Sequence, residues 1–348
     1  MSIDVKMAWR NIWRNPRRTI LTICAIAFAS LLLVFMLSFQ FGSYETMINT
    51  SVKIQTGHLQ IQADGYQDKK SIRLVVPDPA RIAKLLAKIP KVAAYAFRGQ
   101  AFSLVSSKQR TYGVVVTGID PEREAGVSRL KSLIRQGEFL SEEDTDQALV
   151  GRLLARNLRV SLGDELTVVG QGHDGSIAAT VAKVKGIFSS GIAEFDRASI
   201  HIPLKTFQEI YSMQGAVHEV VVIADSLGDI DKIKRSIKAD LSASNLKKPL
   251  AILDWNELMP GLRQSIEMDL ISGIIFYLLL LLVVAFSILN TFLMAIFERT
   301  REFGVMMAIG TTPGRLTKVL LIESMSMTLV GIVAGIAVGC LITVYFQS

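Results

Sequence analysis

Three long stretches of the chain contain no charged residue, and they limit its possible folds more than any other feature. These stretches run from Ile20 to Phe39, from Ile271 to Phe297 and from Met325 to Phe346. A helix needs about 20 apolar residues to cross the hydrocarbon core of a bilayer. We therefore predict three transmembrane helices, at residues 20–41, 268–297 and 319–348.

A cleaved signal peptide is the competing interpretation of the first stretch, because it also follows a basic leader near the N-terminus. The stretch is longer than the usual apolar run of a signal peptide, which has about 7–15 residues. The segment that follows, Ser38-Phe39-Gln40-Phe41, offers no cleavage site with small residues. A membrane helix is therefore the better interpretation.

Basic residues close to the stretches predict the orientation, since Lys and Arg near span ends stay on the cytoplasmic side. Before the first stretch lie Lys6, Arg10, Arg14, Arg17 and Arg18, and between the second and third lie Arg299, Arg301, Arg315 and Lys318. Residues 1–19 and 298–318 are thus predicted on the cytoplasmic side of the membrane, and residues 42–267 on the outer side. The net charge of +7 is explained largely by these segments, so we expect membrane lipids and no nucleic acid as partners.

The predicted fold class is a membrane α-helical protein with a large α+β extracytoplasmic domain, residues 42–267, inserted between the first and second helices. Strand-like and helix-like patterns alternate there, and a β-rich subdomain is predicted at about residues 126–211. Both cysteines, Cys24 and Cys340, lie in the apolar stretches. The domain must therefore be stabilised by its own core rather than by a disulfide.

The N-terminal segment, residues 1–19, is predicted to contain an amphipathic helix at the membrane surface. Trp9, Ile12 and Trp13 have the spacing of one helix face. The following Pro16 should separate this helix from the first transmembrane helix, because the residue before a proline disfavours helical geometry.

Motifs for catalysis or cofactor binding do not occur in the right context. Gly170 to Gly175 spells GxGxxG, but a strand-like segment follows where a dinucleotide site needs a helix, so we predict a hairpin loop. There is no P-loop motif, no HExxH and no GxSxG. We predict no catalytic, cofactor or metal site in this chain, and any ATP and magnesium would be bound by a partner.

The third predicted helix carries glycines at a spacing of four, namely Gly331, Gly335 and Gly339. This spacing lines one helix face with hydrogens and allows another helix, from this chain or another, to approach closely. Asn290 in the second helix is predicted to form an interhelical hydrogen bond.

The segment between the second and third helices combines charges with an apolar helical patch, which ends at Gly310. A simple loop has little reason to expose apolar side chains, so the segment should enter the membrane interface or dock on a partner.

The order Asn290, Glu298-Arg299, Glu302-Phe303-Gly304, Ala308-Ile309-Gly310 and Glu323 resembles the signature of FtsX-type permease domains. Segments of the external domain, including Leu149 to Ala155, resemble the MacB and LolC/LolE periplasmic domains. The chain is therefore similar to permease subunits of the MacB, LolC/LolE and FtsX group of ABC transporters.

This resemblance implies a non-catalytic permease that couples ATP hydrolysis by a separate ATPase dimer to work in the periplasm, by mechanotransmission. It implies ATPase contacts by residues of the cytoplasmic segment: Glu298, Arg299, Arg301, Glu302, Phe303, Met306 and Ile309. A second permease, identical or homologous, is the expected membrane partner. Relatives of this layout usually have four transmembrane helices, and we expect this chain to lack the fourth.

The substrate is expected to be a lipoprotein or lipid, with a periplasmic adaptor as a further possible partner. Peptide or drug efflux and FtsX-like regulation of a cell-wall hydrolase are alternatives. A membrane sensor without an ATPase is the alternative from another class.

Overall fold

The structure, a computed structural model, describes residues 7, 9–10, 12–243 and 249–347. Contacts divide the chain into two compact units. The membrane unit comprises residues 1–45 and 264–348, and the sheet domain comprises residues 46–263. Residues 1–6, 8 and 11 of the predicted N-terminal helix, and Ser348 at the end of the third, lie outside the described residues.

Helices and strands alternate along the chain. The helices are α1 (Pro16–Val52), α2 (Tyr66–Lys69), α3 (Pro79–Leu86), α4 (Pro121–Val127), α5 (Arg152–Leu158), α6 (Ala193–Ala198), α7 (Leu204–Ile210), α8 (Ile230–Ala243), α9 (Trp255–Leu258), α10 (Pro260–Glu298), α11 (Thr300–Ala308) and α12 (Pro313–Gln347). The strands are β1 (Leu59–Ala63), β2 (Val92–Ser106), β3 (Thr111–Ile119), β4 (Ile134–Gly137), β5 (Gln147–Gly151), β6 (Glu165–Gln171), β7 (Ile177–Phe188), β8 (Ser199–Pro203), β9 (Glu219–Ala224) and β10 (Leu250–Asp254). Short 3₁₀ turns occur at Leu130–Leu133 and Leu227–Asp229.

Three helices, α1, α10 and α12, are long and apolar enough to cross a membrane. This confirms the prediction of three apolar helices. The first has 37 residues and the second 39. At 1.5 Å per residue each is about 55 Å long, well beyond a hydrocarbon core of about 30 Å. The helix α1 begins at Pro16, four residues before the predicted start of the span, where a proline fits because the first helical N–H has no intrahelical partner.

The sheet domain is α+β, as predicted, and its strands form one ten-stranded sheet. Part of this sheet closes on itself, because the strand pairs form a ring in the order β2, β3, β8, β5, β7, β6 and back to β2. The buried side chains of these strands fill the ring with small and branched residues, among them Val105, Val116, Val150 and Ile200. Closure removes the exposed strand edges of this part of the sheet.

The remaining strands extend the sheet in the order β2, β9, β1, β10. Two helices cover one face: α3 contributes Ile82 and Leu86, and α8 contributes Ile233 and Ile237. The spacing of four in each pair places both side chains on one helix face, against Val220 and Val222 of β9 and their neighbours. Burial of one helix face fixes each helix on the sheet.

Two sequence expectations need comment. The predicted subdomain at residues 126–211 supplies β5 to β8 of the ring, but β2 and β3 complete it. The GxGxxG sequence forms the turn between the antiparallel strands β6 and β7, which confirms the hairpin prediction.

Three histidines of the sheet domain, His58, His201 and His218, are buried. Burial lowers the pKa of His201 and of His218 from 6.5 to about 4, and lowers the pKa of His58 as well. Nδ1 of His218 accepts a hydrogen bond from the Gln100 backbone N–H at 2.9 Å. The unfolded chain therefore binds more protons than the folded chain between about pH 6.5 and 4.

We expect the sheet domain to lose stability as the pH falls from 6.5 to 4, because unfolding releases histidines that then take up protons. The midpoint of thermal unfolding, followed by circular dichroism on the purified chain, measures this loss. His218→Gln should lower the midpoint at neutral pH and weaken its dependence on pH. Lys108→Gln, a control at an exposed position in the turn between β2 and β3, should keep the wild-type profile. A midpoint independent of pH over this interval would contradict the prediction.

Candidate coupling site

The short helix α11 lies between two breaks in the membrane unit. Arg299 separates it from α10, and Gly310 separates it from α12. Gly310 has a φ of 102°, a conformation that glycine adopts without steric cost. Pro313 then starts α12. The breaks turn α11 into a separate element, as the sequence of the predicted coupling segment suggests.

A buried ion pair ties this segment to α12. The Nη1 atom of Arg299 donates to Oε2 of Glu323 at 3.2 Å, and both side chains are at least nine-tenths buried. Nε of Arg299 also contacts Oε2 of Glu302 at 3.4 Å. Removing either member of a buried pair leaves an uncompensated charge, so the two side chains hold the break in one geometry.

A second set of ion pairs connects the segment with the chain before α1. The Nη1 and Nη2 atoms of Arg14 donate to Oε2 and Oε1 of the Glu302 carboxylate, a bidentate arrangement. Arg18 donates to Oε2 of Glu298 at 2.9 Å. The hydrogen bonds from Arg14 hold the pKa of the Glu302 carboxyl below its ordinary value. These pairs are more exposed than Arg299–Glu323, so each contributes less to stability. Both nevertheless join the same two segments, the chain around the start of α1 and the coupling segment.

The predicted coupling residues separate onto two sides of the segment. Arg299, Glu302, Phe303 and Met306 line a cavity of about 430 Å³ together with residues before α1 and at the start of α12. In contrast, Arg301 and Ile309 are exposed, Ile309 to 82%. The structure therefore places the first group around this cavity and leaves the second on the surface of the membrane unit.

Two further apolar residues of the segment that the prediction did not select are exposed, namely Val305 and Met307. The apolar pattern of residues 303–309 already contained them, but sequence alone does not reveal which side of a short helix is covered. The charged partners Arg14, Arg18 and Glu323 were also not selected as site residues. Their pairing with residues far along the sequence leaves no local signal.

The glycines of α12 pack against α1 of the same chain. A Cβ atom at Gly331 would lie 2.8 Å from Cβ of Ile26, and one at Gly335 would lie 2.3 Å from the backbone oxygen of Ala27. At Gly339 the nearest atom, Cβ of Val34, would be 3.1 Å away. The two helices thus approach most closely at Gly335. Asn290 is exposed on α10, and no hydrogen bond of its side chain occurs among the described residues.

A polar cluster joins α1 and α10 far from the coupling segment. The Tyr44 hydroxyl donates to Oδ2 of Asp269 at 2.6 Å, and Nε2 of Gln40 contacts the same oxygen at 3.2 Å. The Tyr277 hydroxyl donates to Oε1 of Gln40 at 2.7 Å. Since Gln40 and Tyr44 are one helical turn apart, they fix the rotation of α1 relative to α10 at this level.

Glu323→Gln should destabilise the membrane unit, because the buried Arg299 would keep only its 3.4 Å contact with Glu302, whose side chain is 42% exposed. Breaking such a pair typically costs about 3–5 kcal/mol. The double variant Arg299→Met with Glu323→Leu should recover much of the loss, since it removes both charges. The thermal unfolding midpoint in detergent measures this, with Arg301→Gln, at an exposed position, as the control. Equal midpoints for Glu323→Gln and wild type would refute the structural role of the pair.

Gly335→Ala should disturb the packing of α12 on α1 more than Gly339→Ala, because the first would push against backbone and the second against a side chain. We expect a cost of about 1–3 kcal/mol at Gly335, typical of overpacking, and a smaller one at Gly339. Gly314→Ala, where no atom lies within 4 Å of the added carbon, is the control. Disulfide crosslinking yields between cysteines placed in α1 and α12 measure the change, and equal yields for all three variants would contradict it.

Comparison with known proteins adds family information to this geometry. Residues 19–240 match the MacB-like periplasmic core domain, and residues 274–348 match the FtsX-like permease C-terminal domain. The macrolide export ATP-binding/permease protein MacB of Vibrio parahaemolyticus is 22% identical over 354 residues, covering 99% of this chain and 52% of that protein. An uncharacterised ABC transporter permease of Methanocaldococcus jannaschii is 20% identical over 356 residues, covering all of this chain and 86% of that one.

The lipoprotein-releasing system transmembrane protein LolC of Neisseria meningitidis is 22% identical over 247 residues, covering 69% of this chain and 58% of LolC. The chain thus spans about half the length of MacB and somewhat more of LolC. Among solved structures, the periplasmic region of MacB from Actinobacillus actinomycetemcomitans aligns with a TM-score of 0.43 at 15% identity, covering 62% of this chain and 94% of that region. The resemblance predicted from sequence is confirmed: the chain belongs to the MacB-like periplasmic core domain family and carries an FtsX-like permease domain, as ABC transporter permeases of the MacB and LolC type do.

Proposed function

We propose that this chain is the membrane subunit of an ABC transporter that transmits ATP-driven movement from a separate ATPase dimer to its external domain. The observation that carries this proposal is the two-sided coupling segment. Its inner side is tied to α12 by the buried Arg299–Glu323 pair, while Val305, Met307 and Ile309 are exposed on its surface. A small apolar group on a braced element is well suited to binding a partner.

The ion pairs supply a route for such movement. A displacement of α11 would act on α12 through Arg299 and on the start of α1 through Arg14 and Arg18. Because α1 is one continuous helix of 37 residues, a movement at its start is carried along its length. The hydrogen bonds of Gln40 and Tyr44 with Asp269 would then require α10 to follow.

Orientation and substrate are further parts of the proposal. The basic residues next to the helices favour a cytoplasmic coupling segment and a periplasmic sheet domain in a bacterial inner membrane. Similarity to LolC favours lipoprotein or lipid extraction, whereas MacB is named for macrolide export. A second permease, identical or homologous, would complete the assembly. Its contact could satisfy the exposed Asn290 amide, because a polar group in a membrane helix favours an interhelical hydrogen bond.

The structure changes which residues best test ATPase binding. Glu302 and Phe303 line the cavity, and Glu302 is paired with Arg14, so replacing them would loosen α11 as well as alter any contact. Ile309 is exposed, and its replacement changes the surface alone. A charge introduced at the centre of an apolar contact is costly, because it must be desolvated there.

Ile309→Asp should therefore weaken association with the ATPase by about tenfold or more, in the range of interface hot spots. The measurement is a detergent pull-down with mass spectrometry, followed by titration of the recovered ATPase. Ile177→Asp is a matched control, because Ile177 in the sheet domain is 81% exposed against 82% for Ile309. Failure of the wild-type chain to recover an ATPase would favour a membrane sensor, and equal recovery with Ile309→Asp would overturn the coupling assignment.

A further inference from the structure

One face of the sheet in the sheet domain carries a row of buried polar residues. Strand register places Gln62, Glu219 and Arg98 side by side on β1, β9 and β2. A second row, Gln100, Thr117 and His201, follows on β2, β3 and β8. Directly paired residues share a face, and so do residues two apart, so both rows and Gln60 lie on the same face. The opposite face of β1 and β9 is apolar, with Ile61 and Val220 in the core.

A cavity of about 430 Å³ lies over this polar face, within the sheet domain. Its lining includes Gln60, Arg98, Gln100, Thr117, His201 and Glu219. Two of these side chains have buried polar atoms without a hydrogen-bond partner among the described residues: Oε1 of Gln60 and Nδ1 of His201. Buried polar groups are normally satisfied, and an exception that faces a cavity indicates a site for a hydrogen-bonding ligand.

The charges around the cavity are unequally compensated. Arg98 and Glu124 form a bidentate buried pair, with the Nε atom 3.0 Å from Oε2 and Nη2 2.6 Å from Oε1. Glu219 is 2% exposed and accepts a hydrogen bond from Nε2 of Gln100 at 3.1 Å and a long one from Nζ of Lys70. Its nearest cation is the half-exposed Lys70, whose Nζ lies 3.5 Å from Oε1. A carboxylate has about four acceptor positions, so Glu219 can accept further donors from a ligand.

The side of the cavity at β3 opens onto an apolar surface. Val115 and Ile192 line the cavity and are themselves 36% and 43% exposed. Phe102 is paired with Val115 across β2 and β3 and is 73% exposed, and Leu104 and Val169 continue the same face on β2 and β6. An apolar patch over several strands is uncommon on a soluble surface and marks a site of interaction.

We propose that this cavity binds the head group of a lipid that carries a primary ammonium next to a phosphate, as phosphatidylethanolamine does. The ammonium donates to the Glu219 carboxylate and to Oε1 of Gln60, and the phosphate faces Lys70 at the cavity edge. The acyl chains leave over Val115 and Phe102. The inference deepens the proposed function, on which it rests, by naming the class of substrate that the external domain holds.

The chemistry of the lining separates this head group from related ones. Gln60 offers an oxygen that needs an N–H or O–H donor, and a quaternary choline ammonium has none. A glycerol head group supplies donors but no positive charge for Glu219. A bare phosphate carries only negative charge and would meet two buried carboxylates, Glu124 and Glu219. The primary ammonium alone satisfies both the charge and the hydrogen-bonding requirement.

The test is equilibrium binding of short-chain phosphatidylethanolamine to the full chain in phosphatidylglycerol nanodiscs, with empty nanodiscs as background. Phosphatidylcholine and phosphatidylglycerol of the same chain length are the comparison ligands. We expect saturable binding of phosphatidylethanolamine that is at least about tenfold tighter than that of either comparison lipid, because charge-assisted hydrogen bonds are the strong ones. Free phosphoethanolamine should bind more weakly, since it lacks the apolar chains.

Two variants test the assigned contacts. Glu219→Gln removes the charge and Gln60→Met removes the acceptor at similar volume, and each should weaken binding by about tenfold. The matched control is Gln62→Met, at a buried glutamine on the same face of β1 that does not line the cavity. It should bind as the wild type does. Circular dichroism verifies that each variant is folded. If one of the two cavity variants does not fold, the other alone tests the assigned contacts.

Three results would overturn the inference: equal binding of the three lipids, unchanged binding by both cavity variants, or phosphoethanolamine binding as tightly as the lipid. The ATPase pull-down on the same preparations separates this inference from the proposed function. Selective lipid binding without a recovered ATPase would contradict only the transporter, and a recovered ATPase without selective binding would contradict only the lipid site.

Discussion

The buried contact of Arg299 with Glu323 is the interaction on which the arrangement of the membrane unit most depends. Two charges that have left water are stable only while each compensates the other, so the contact tolerates little change in geometry. It therefore fixes the break between α10 and α11 relative to α12. With that break fixed, Phe303 and Met306 point into the cavity of this unit and Val305 and Ile309 point out. The surface offered to a partner thus follows from one ion pair at the base of the segment.

In the sheet domain the corresponding constraint is the long strand β2, which has 15 residues and belongs both to the open part of the sheet and to the closed ring. Its first half pairs with β9 in the open part of the sheet, and its second half pairs with β6 to close the ring. Arg98 and Gln100 lie near the change from one to the other. Side chains here cannot enter the ring, which is filled by apolar residues, nor the apolar layer under α3 and α8. The polar rows therefore collect on the remaining face, where Arg98 pairs with Glu124 and Gln100 with Glu219.

The apolar helices and the hairpin at Gly170 to Gly175 were predictable because their signals are local: uncharged runs in one case, and turn residues between alternating strands in the other. The contacts that give these elements their roles are not local. Glu302 was recognised as part of a charged segment, but its partner Arg14 lies 288 residues away. Likewise, nothing in the sequence of β2 reveals that β6 and β9 share it. The glycine spacing predicted close helix packing, while only the structure assigns the neighbour to α1.

The contacts of α1 within the membrane unit lead to a mechanical argument. At its start, Arg18 is bonded to Glu298, and some six turns later Gln40 and Tyr44 are bonded to Asp269. Between these points α12 packs its glycines against the helix with almost no free space. The helix contains no internal proline, and its single glycine, Gly42, lies between the two residues of the second contact. A helix without a weak point between its attachments moves as one body, so a displacement at Arg18 reaches Gln40 without being absorbed by bending.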